Sequence, residues 1–267
     1  MGPAMGHGTT WLNFLPGYHA VEMFLQRFGR GVLGHPAEAQ HVLAAILVAL
    51  LMGWITLLVR LDMARAGENA VVPGPGLSVR NLLEVALEAL YHQSRQIIGP
   101  DCARYFPVLA TFGLFIFISN CLGLIPGLTP PTDNWNTTFA CGLMVFFYYN
   151  YHGLRKHGFG HIAHLANPTG EWWGWFLAPL MFPIELVSHC ARPLSLGIRL
   201  AANMVGDHAV LMGFMSLVPI LVPLPFMVLG LMVAAVQTLV FVLLSMVYIG
   251  MATAGGHAEP QATASGH

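Results

Sequence analysis

PIELVSHCARPLSLGIRLAANMVGDHAVL, residues 183–211, is an apolar helix carrying a charged stripe. Place Arg199 at zero and advance about 100° per residue, as a 3.6-residue turn requires. Arg192 then falls at about +20°, Glu185 and Asn203 at about +40°, His189 and Asp207 at about +80°, and Ser195 at about −40°. Pro193 and Gly197 can bend the axis and turn these angles by tens of degrees, roughly. His208 falls at about 180°, on the opposite side. An arginine at membrane depth costs about 2.5–3.5 kcal/mol on insertion scales. Pairing within the helix, Glu185 with His189 or Arg192 and Asn203 with Arg199 or Asp207, explains how the helix tolerates these groups. It does not explain why they are there when leucine would serve. The stripe reads as the lining of an ion path.

The rest of the chain supplies the membrane. Its 267 residues are 56% hydrophobic and 9% charged, with a mean hydropathy of +0.65, against roughly 25% charged residues in a soluble domain. The formal net charge of −1 leaves no basic stripe for phosphates and excludes a nucleic-acid partner. Cys102, Cys121, Cys141 and Cys190 have no CxxC spacing and read as small buried hydrophobes. The first residues have neither the basic start nor the apolar core of a secretory signal.

About 20 apolar helical residues cross a bilayer core of about 30 Å. Residues 42–59, 105–128 and 134–153 each supply such a run. Between the first two, residues 78–98 repeat leucines at helical spacing against Arg80, Glu84, Glu88 and Arg95, the pattern of a helix lying in the interface. The last third divides at the loop 218–225, whose Pro219, Pro223 and Pro225 cannot continue a helix. Two long helices are expected, about 181–217 and about 226–252, tilted as a hairpin because the first outruns the membrane. The fold class is therefore all-α and integral to the membrane, with about five membrane helices and one interfacial amphipathic helix. Residues 42–252 read as a single membrane domain, 1–41 as an external N-terminal segment and 253–267 as a disordered cytoplasmic tail.

Orientation comes from the basic residues. Arg60, Arg65, Arg80, Arg95 and Arg104 lie between the first two spans, and Arg155 and Lys156 follow the third. The loops around 126–136 and 218–225 have neither lysine nor arginine. By the positive-inside rule the N-terminus lies outside and the C-terminus in the cytoplasm, Arg27 and Arg30 being outnumbered.

RPLSLGIRLAANMVGDHAVL, PIELVS, Gln237 within VQTLVFVLLSMVYIGMA, and NCLGLIPG followed by PTDNWNTT together resemble the signature of ATP synthase subunit a, over about residues 105–252. The resemblance implies a bacterial inner-membrane stator in the Fo sector of an F-type ATP synthase, working against a c-ring, held by the subunit b stalk and through it joined to the F1 sector. It implies two half-channels separated by Arg199, with Asn203 and Gln237 beside it. His208 matches an inlet position that holds an acid or a histidine. The complementary residue usual seven places before the glutamine is absent, since Gly230 stands there. Asp207, where a glycine is common, is expected to supply the missing carboxylate. Glu185 belongs to the same network, and Asp133 borders the external mouth.

No cofactor or metal is expected. His157, His161 and His164 have metal-like spacing but sit in a glycine-containing loop without Cys or carboxylate, and no central histidines pair across spans as haem requires. Asn136-Thr137-Thr138 matches a glycosylation acceptor, a pattern common by chance. No G-x-x-x-x-G-K-[ST] stretch exists, so the chain is not a nucleotide-binding catalytic subunit. A self-contained transporter would show repeated halves, which are not seen, and a mere scaffold leaves the stripe unexplained.

Overall fold

The computed structural model describes residues 22–23, 39–66, 78–125, 128–158, 174–217 and 223–253. Most of the N-terminal segment, the histidines at 161 and 164 and the C-terminal tail beyond Thr253 lie outside the described residues. Helix α1, Ala39–Ala66, is built of alanine and leucine and is apolar on all sides, so it extends past the expected run at both ends. Helix α2, Val79–Ile98, is the expected amphipathic helix. Ser78 caps it by accepting from the Arg80 amide at 3.3 Å. Arg80 also reaches Asp62 at 3.5 Å and so fastens the end of α1 to the start of α2.

Helix α3, Cys102–Leu122, ends six residues before the expected boundary. The amides of Gly123, Leu124 and Ile125 turn to carbonyls three residues back, at 3.1, 3.2 and 3.1 Å, and Pro126 ahead disfavours helical backbone at its neighbour. A short 3-10 turn, Pro131–Asp133, leads into α4, Trp135–His157. Asn134 caps α4, accepting from the Asn136 amide at 2.9 Å.

The hairpin expected from the last third is present as α5, Gly174–Leu217, and α6, Pro223–Thr253. With 44 residues α5 is roughly 66 Å long. It starts seven residues before the expected position. Pro223 and Pro225 are not loop residues, as expected, but lie in the first turn of α6. Amides there have no intrahelical partner, so proline removes nothing.

Three described helices are long and apolar enough to cross a membrane by length and composition, covering 40–65, 102–122 and 224–253. The expected span in α4 is of spanning length, but Asn136, Asn150 and His152 lower its hydropathy. Four helices meet in one core, where Tyr105, Leu109 and Ile116 of α3, Val145 and Tyr149 of α4, Leu196 and Leu200 of α5 and Phe241, Val242 and Met246 of α6 are buried. Ala44 and Val48 attach α1 to Ile118 and Leu122 of α3 in a second cluster. Gly197 lets α5 approach α4 closely. A β-carbon there would lie 3.3 Å from both the Phe139 α-carbon and the Thr138 carbonyl oxygen, backbone that cannot swing aside.

Candidate functional site: the seam between the two long helices

α5 buries Leu196, Leu200, Ala201 and Met204 and leaves Ser195, Ile198, Arg199, Ala202, Asn203 and Gly206 exposed. The polar stripe therefore runs along the edge of the buried face, where α5 meets α6. Two contacts set the pairing of the helices. The Asn203 side-chain amide donates to the Gln237 carbonyl oxygen at 2.8 Å, and the Arg192 guanidinium lies 5.4 Å from the centre of the Tyr248 ring. Both pairs obey one antiparallel register, which puts Arg199 level with Phe241.

Phe241 is 1% exposed and offers Arg199 no polar partner. Among the described residues no carboxylate lies within ion-pair distance of Arg199, which projects from the bundle. The surface beside it is low. Ser195, Ala202 and Gly206 flank it, and a β-carbon on Gly206 would meet no atom within 4 Å. Gln237, by contrast, is 5% exposed, so its side chain is held in place by the bond to Asn203.

One turn beyond Asn203, Asp207 is half-buried and lines a cavity of about 250 Å³ with Gly123, Leu124, Met204, Phe226, Leu229 and Gly230. Gly230 lets Leu124 pack against α6 at the wall of this space. A β-carbon on it would lie 2.5 Å from a Leu124 methyl and 3.9 Å from a carboxylate oxygen of Asp207. The cavity sits at the end of the bundle where Gly123 lies against Met204 and Pro130. The 3-10 turn with Asp133, itself half-buried, belongs to the same end.

Several residues of the stripe are thus brought together along one seam: Arg192, Arg199, Asn203, Asp207 and, from α6, Gln237. Ser195 is exposed, one turn before the arginine. The backbone of Glu185, His189 and His208 is helical, and their side chains lie outside the described residues. Asn203 takes its partner across the seam, not from Arg199 or Asp207 on its own helix. Sequence reasoning missed Tyr248, because nothing in one strand of sequence tells which residue of α6 comes level with Arg192. It also missed the buried Asn120–Thr132 bond of 3.0 Å at the cavity end. NCLGLIPG and PTDN carried the signal for that bond, since both contribute a polar side chain. No group of three metal-binding side chains occurs among the described residues.

The family model for "ATP synthase A chain" matches residues 42–250. The chain belongs to that family. Among curated relatives, ATP synthase subunit a of Sorangium cellulosum is 40% identical over 233 residues, covering 85% of this chain and 89% of the relative. ATP synthase subunit a 1 of Syntrophotalea carbinolica is 42% identical, with 89% and 95% covered. ATP synthase subunit a of Bdellovibrio bacteriovorus is 47% identical, with 72% and 82% covered. Family membership makes this a multi-pass membrane subunit of an ATP synthase, in the proton-translocating Fo sector, acting in a complex with the other subunits.

Proposed function

We propose that the chain is the stator of the Fo motor, with Arg199 as the barrier between two half-channels that open on opposite sides of the membrane. The observation that carries this reading is an arginine exposed in an apolar belt without a carboxylate partner among the described residues. A charge at that depth is tolerable only if it meets water or an opposite charge. The carboxylate it lacks comes from a c-ring helix, and Ser195, Ala202 and Gly206 leave room for that helix to pass close by.

Protons reach the ring from the outside through the cavity at Asp207, with His208 and Asp133 nearer its mouth. They neutralise a ring carboxylate, travel round with it, and leave on the cytoplasmic side past Arg192, where His189 and Glu185 follow on the same helix. Guanidinium keeps its proton in a protein, so Arg199 cannot relay one between the paths. It can attract the ionised ring carboxylate and so favour release of the proton to the exit side. Asn203 and Gln237 lock α5 to α6 one turn from the arginine and fix where it stands. Each proton returns about 2.3 kcal/mol per 100 mV of membrane potential, so several are needed per ATP.

Asp207 takes the place of the side chain missing at Gly230, a reading supported by the shared cavity. Replacing Asp207 with Asn should then cut proton flux while His208→Ala cuts it as well. Unchanged flux in Asp207→Asn beside abolished flux in His208→Ala sinks the substitution. The basic residues support an external N-terminus and a cytoplasmic C-terminus in a bacterial inner membrane. Residues 42–252 form the membrane domain, with 1–41 external and 253–267 cytoplasmic. The subunit b stalk and the F1 sector complete the assembly. The decisive experiment is ATP-driven pumping in inverted vesicles carrying Arg199→Ala. Coupled pumping should vanish while the complex still assembles. Pumping at the wild-type rate would make the arginine structural and favour a self-contained transporter.

A further inference from the structure

Away from the seam, a second polar cluster lies where the start of α3 meets the end of α4. Around His152 stand the rings of Tyr148, Tyr105 and Tyr151, with centroids at 4.6, 5.0 and 5.3 Å. Arg104 is next to Tyr105 and Arg155 is three residues past His152, so both charges stand near the imidazole. Both arginines are exposed, and among the described residues neither has a carboxylate partner. The nearby acid is already engaged, since Asp101 accepts from the Lys156 ammonium at 3.2 Å. The cluster therefore carries two uncompensated positive charges on an aromatic floor.

What lies below it along α4 identifies the occupant. Arg155, Tyr151, Phe147 and Met144 recur at three- and four-residue spacing and share one face. Tyr151, Phe147 and Met144 are 59, 65 and 58% exposed. Arg155 stands about 16 Å above Met144 along the axis, close to half of the roughly 30 Å bilayer core. Charge, then a tyrosine belt, then an apolar track one leaflet deep is the profile of a lipid from headgroup to chain. Basic pockets between membrane helices are suited to anionic headgroups.

We infer that the groove between the start of α3 and the end of α4 binds an anionic phospholipid, its phosphate held by Arg104 and Arg155 and one acyl chain laid along Tyr151, Phe147 and Met144. The site is independent of the proton path. The rings of Tyr105 and Tyr148 pack on His152 and so tie the start of α3 to the end of α4, which sets the two arginines side by side on the same end of the bundle.

The test uses the intact complex in detergent and a phosphatidylglycerol carrying a photoactivatable group in its acyl chain, with crosslinks mapped by mass spectrometry. Labelling should fall on residues 144–151. Each arginine changed to Gln should weaken labelling about fivefold, while Arg104→Lys with Arg155→Lys should retain most of it. Excess phosphatidylglycerol should compete, and phosphatidylcholine or millimolar inorganic phosphate should not. ATP-driven pumping should persist in the Gln variants, which verifies assembly without engaging Arg199. Unchanged labelling in the double Gln variant, equal competition by phosphatidylcholine, or no label on 144–151 in the wild type overturns the site. Competition by inorganic phosphate alone overturns the lipid and leaves a free-phosphate site.

Discussion

The two ends of the α5–α6 seam are built in opposite ways, and at one of them Asp207 approaches Gly230, one turn from the residue level with it in the register. At the Asp207 end the facing residue is glycine, the helices leave about 250 Å³ between them, and a carboxylate stands at the wall. At the Arg192 end the facing residue is Tyr248, whose ring lies under the guanidinium, with Tyr149 of α4 at a ring separation of 6.0 Å. Between them the Asn203–Gln237 bond closes the seam. Space at one end and packing at the other make the two ends of the helix pair unlike, as the proposed pair of paths needs. An asymmetric pair of paths requires such a difference, and no symmetric repeat of residues in α5 would provide it.

The comparison breaks most sharply at Gly230. Leucine there should fill the cavity and lower ATP-driven pumping at least tenfold in an assembled complex, because Asp207 would lose the open space beside it, which the proposed inlet needs. Alanine is the graded control. Its β-carbon clashes with the tip of Leu124, a flexible end that can turn away, and reaches Asp207 only at ordinary contact distance, so pumping should fall about two- to threefold. If Leu at 230 pumps as well as Gly, the cavity is not on the path, and the contrast between the two ends has no functional meaning.

The closed middle gives a smaller effect, on stability. Gln237 is buried, and changing it to Leu leaves the Asn203 amide without its partner. The cost should be about 0.5–1.5 kcal/mol, read as a lower midpoint of thermal unfolding of the complex. Changing Asn203 to Leu as well should recover part of it, since an apolar pair leaves no unmet donor. A double variant as unstable as the sum of the singles would mean that the two side chains do not act as a pair.

The stripe was readable from sequence because helical periodicity is a local property. Arg192, Arg199, Asn203 and Asp207 can be placed on one face by counting alone. The interfacial helix was readable for the same reason, and its Ser78 cap falls four residues before Leu82, where the leucine repeat begins. What could not be read was anything that depends on the neighbour. Asn203 had two candidate partners on its own helix, and the one it uses lies 34 residues away. The end of α3 was misjudged because apolar residues continue through Leu124 and Ile125 while the backbone has already turned. Pro223 and Pro225 looked like breakers, yet proline at a helix start and in a loop are indistinguishable until the first turn is seen.

The packed end offers the finest test. Arg192 is half-buried on Tyr248, and a cation over an aromatic face is worth about 0.5–1 kcal/mol where water still reaches it. Tyr248→Phe keeps the ring face and should leave stability within a few tenths of a kcal/mol, about the spread of a neutral surface change. Tyr248→Leu removes the face and part of the volume, so it should cost a packing loss in addition to the cation–ring contact of about 0.5–1 kcal/mol. Combined with Arg192→Leu, it should cost about 0.5–1 kcal/mol less than the sum of the two single losses, because the shared contact is lost only once. Additive losses would show that Tyr248 supports the helix crossing by its volume only. The guanidinium would then be held by other groups at that end, and the two ends of the seam would differ in space but not in how their charges are kept.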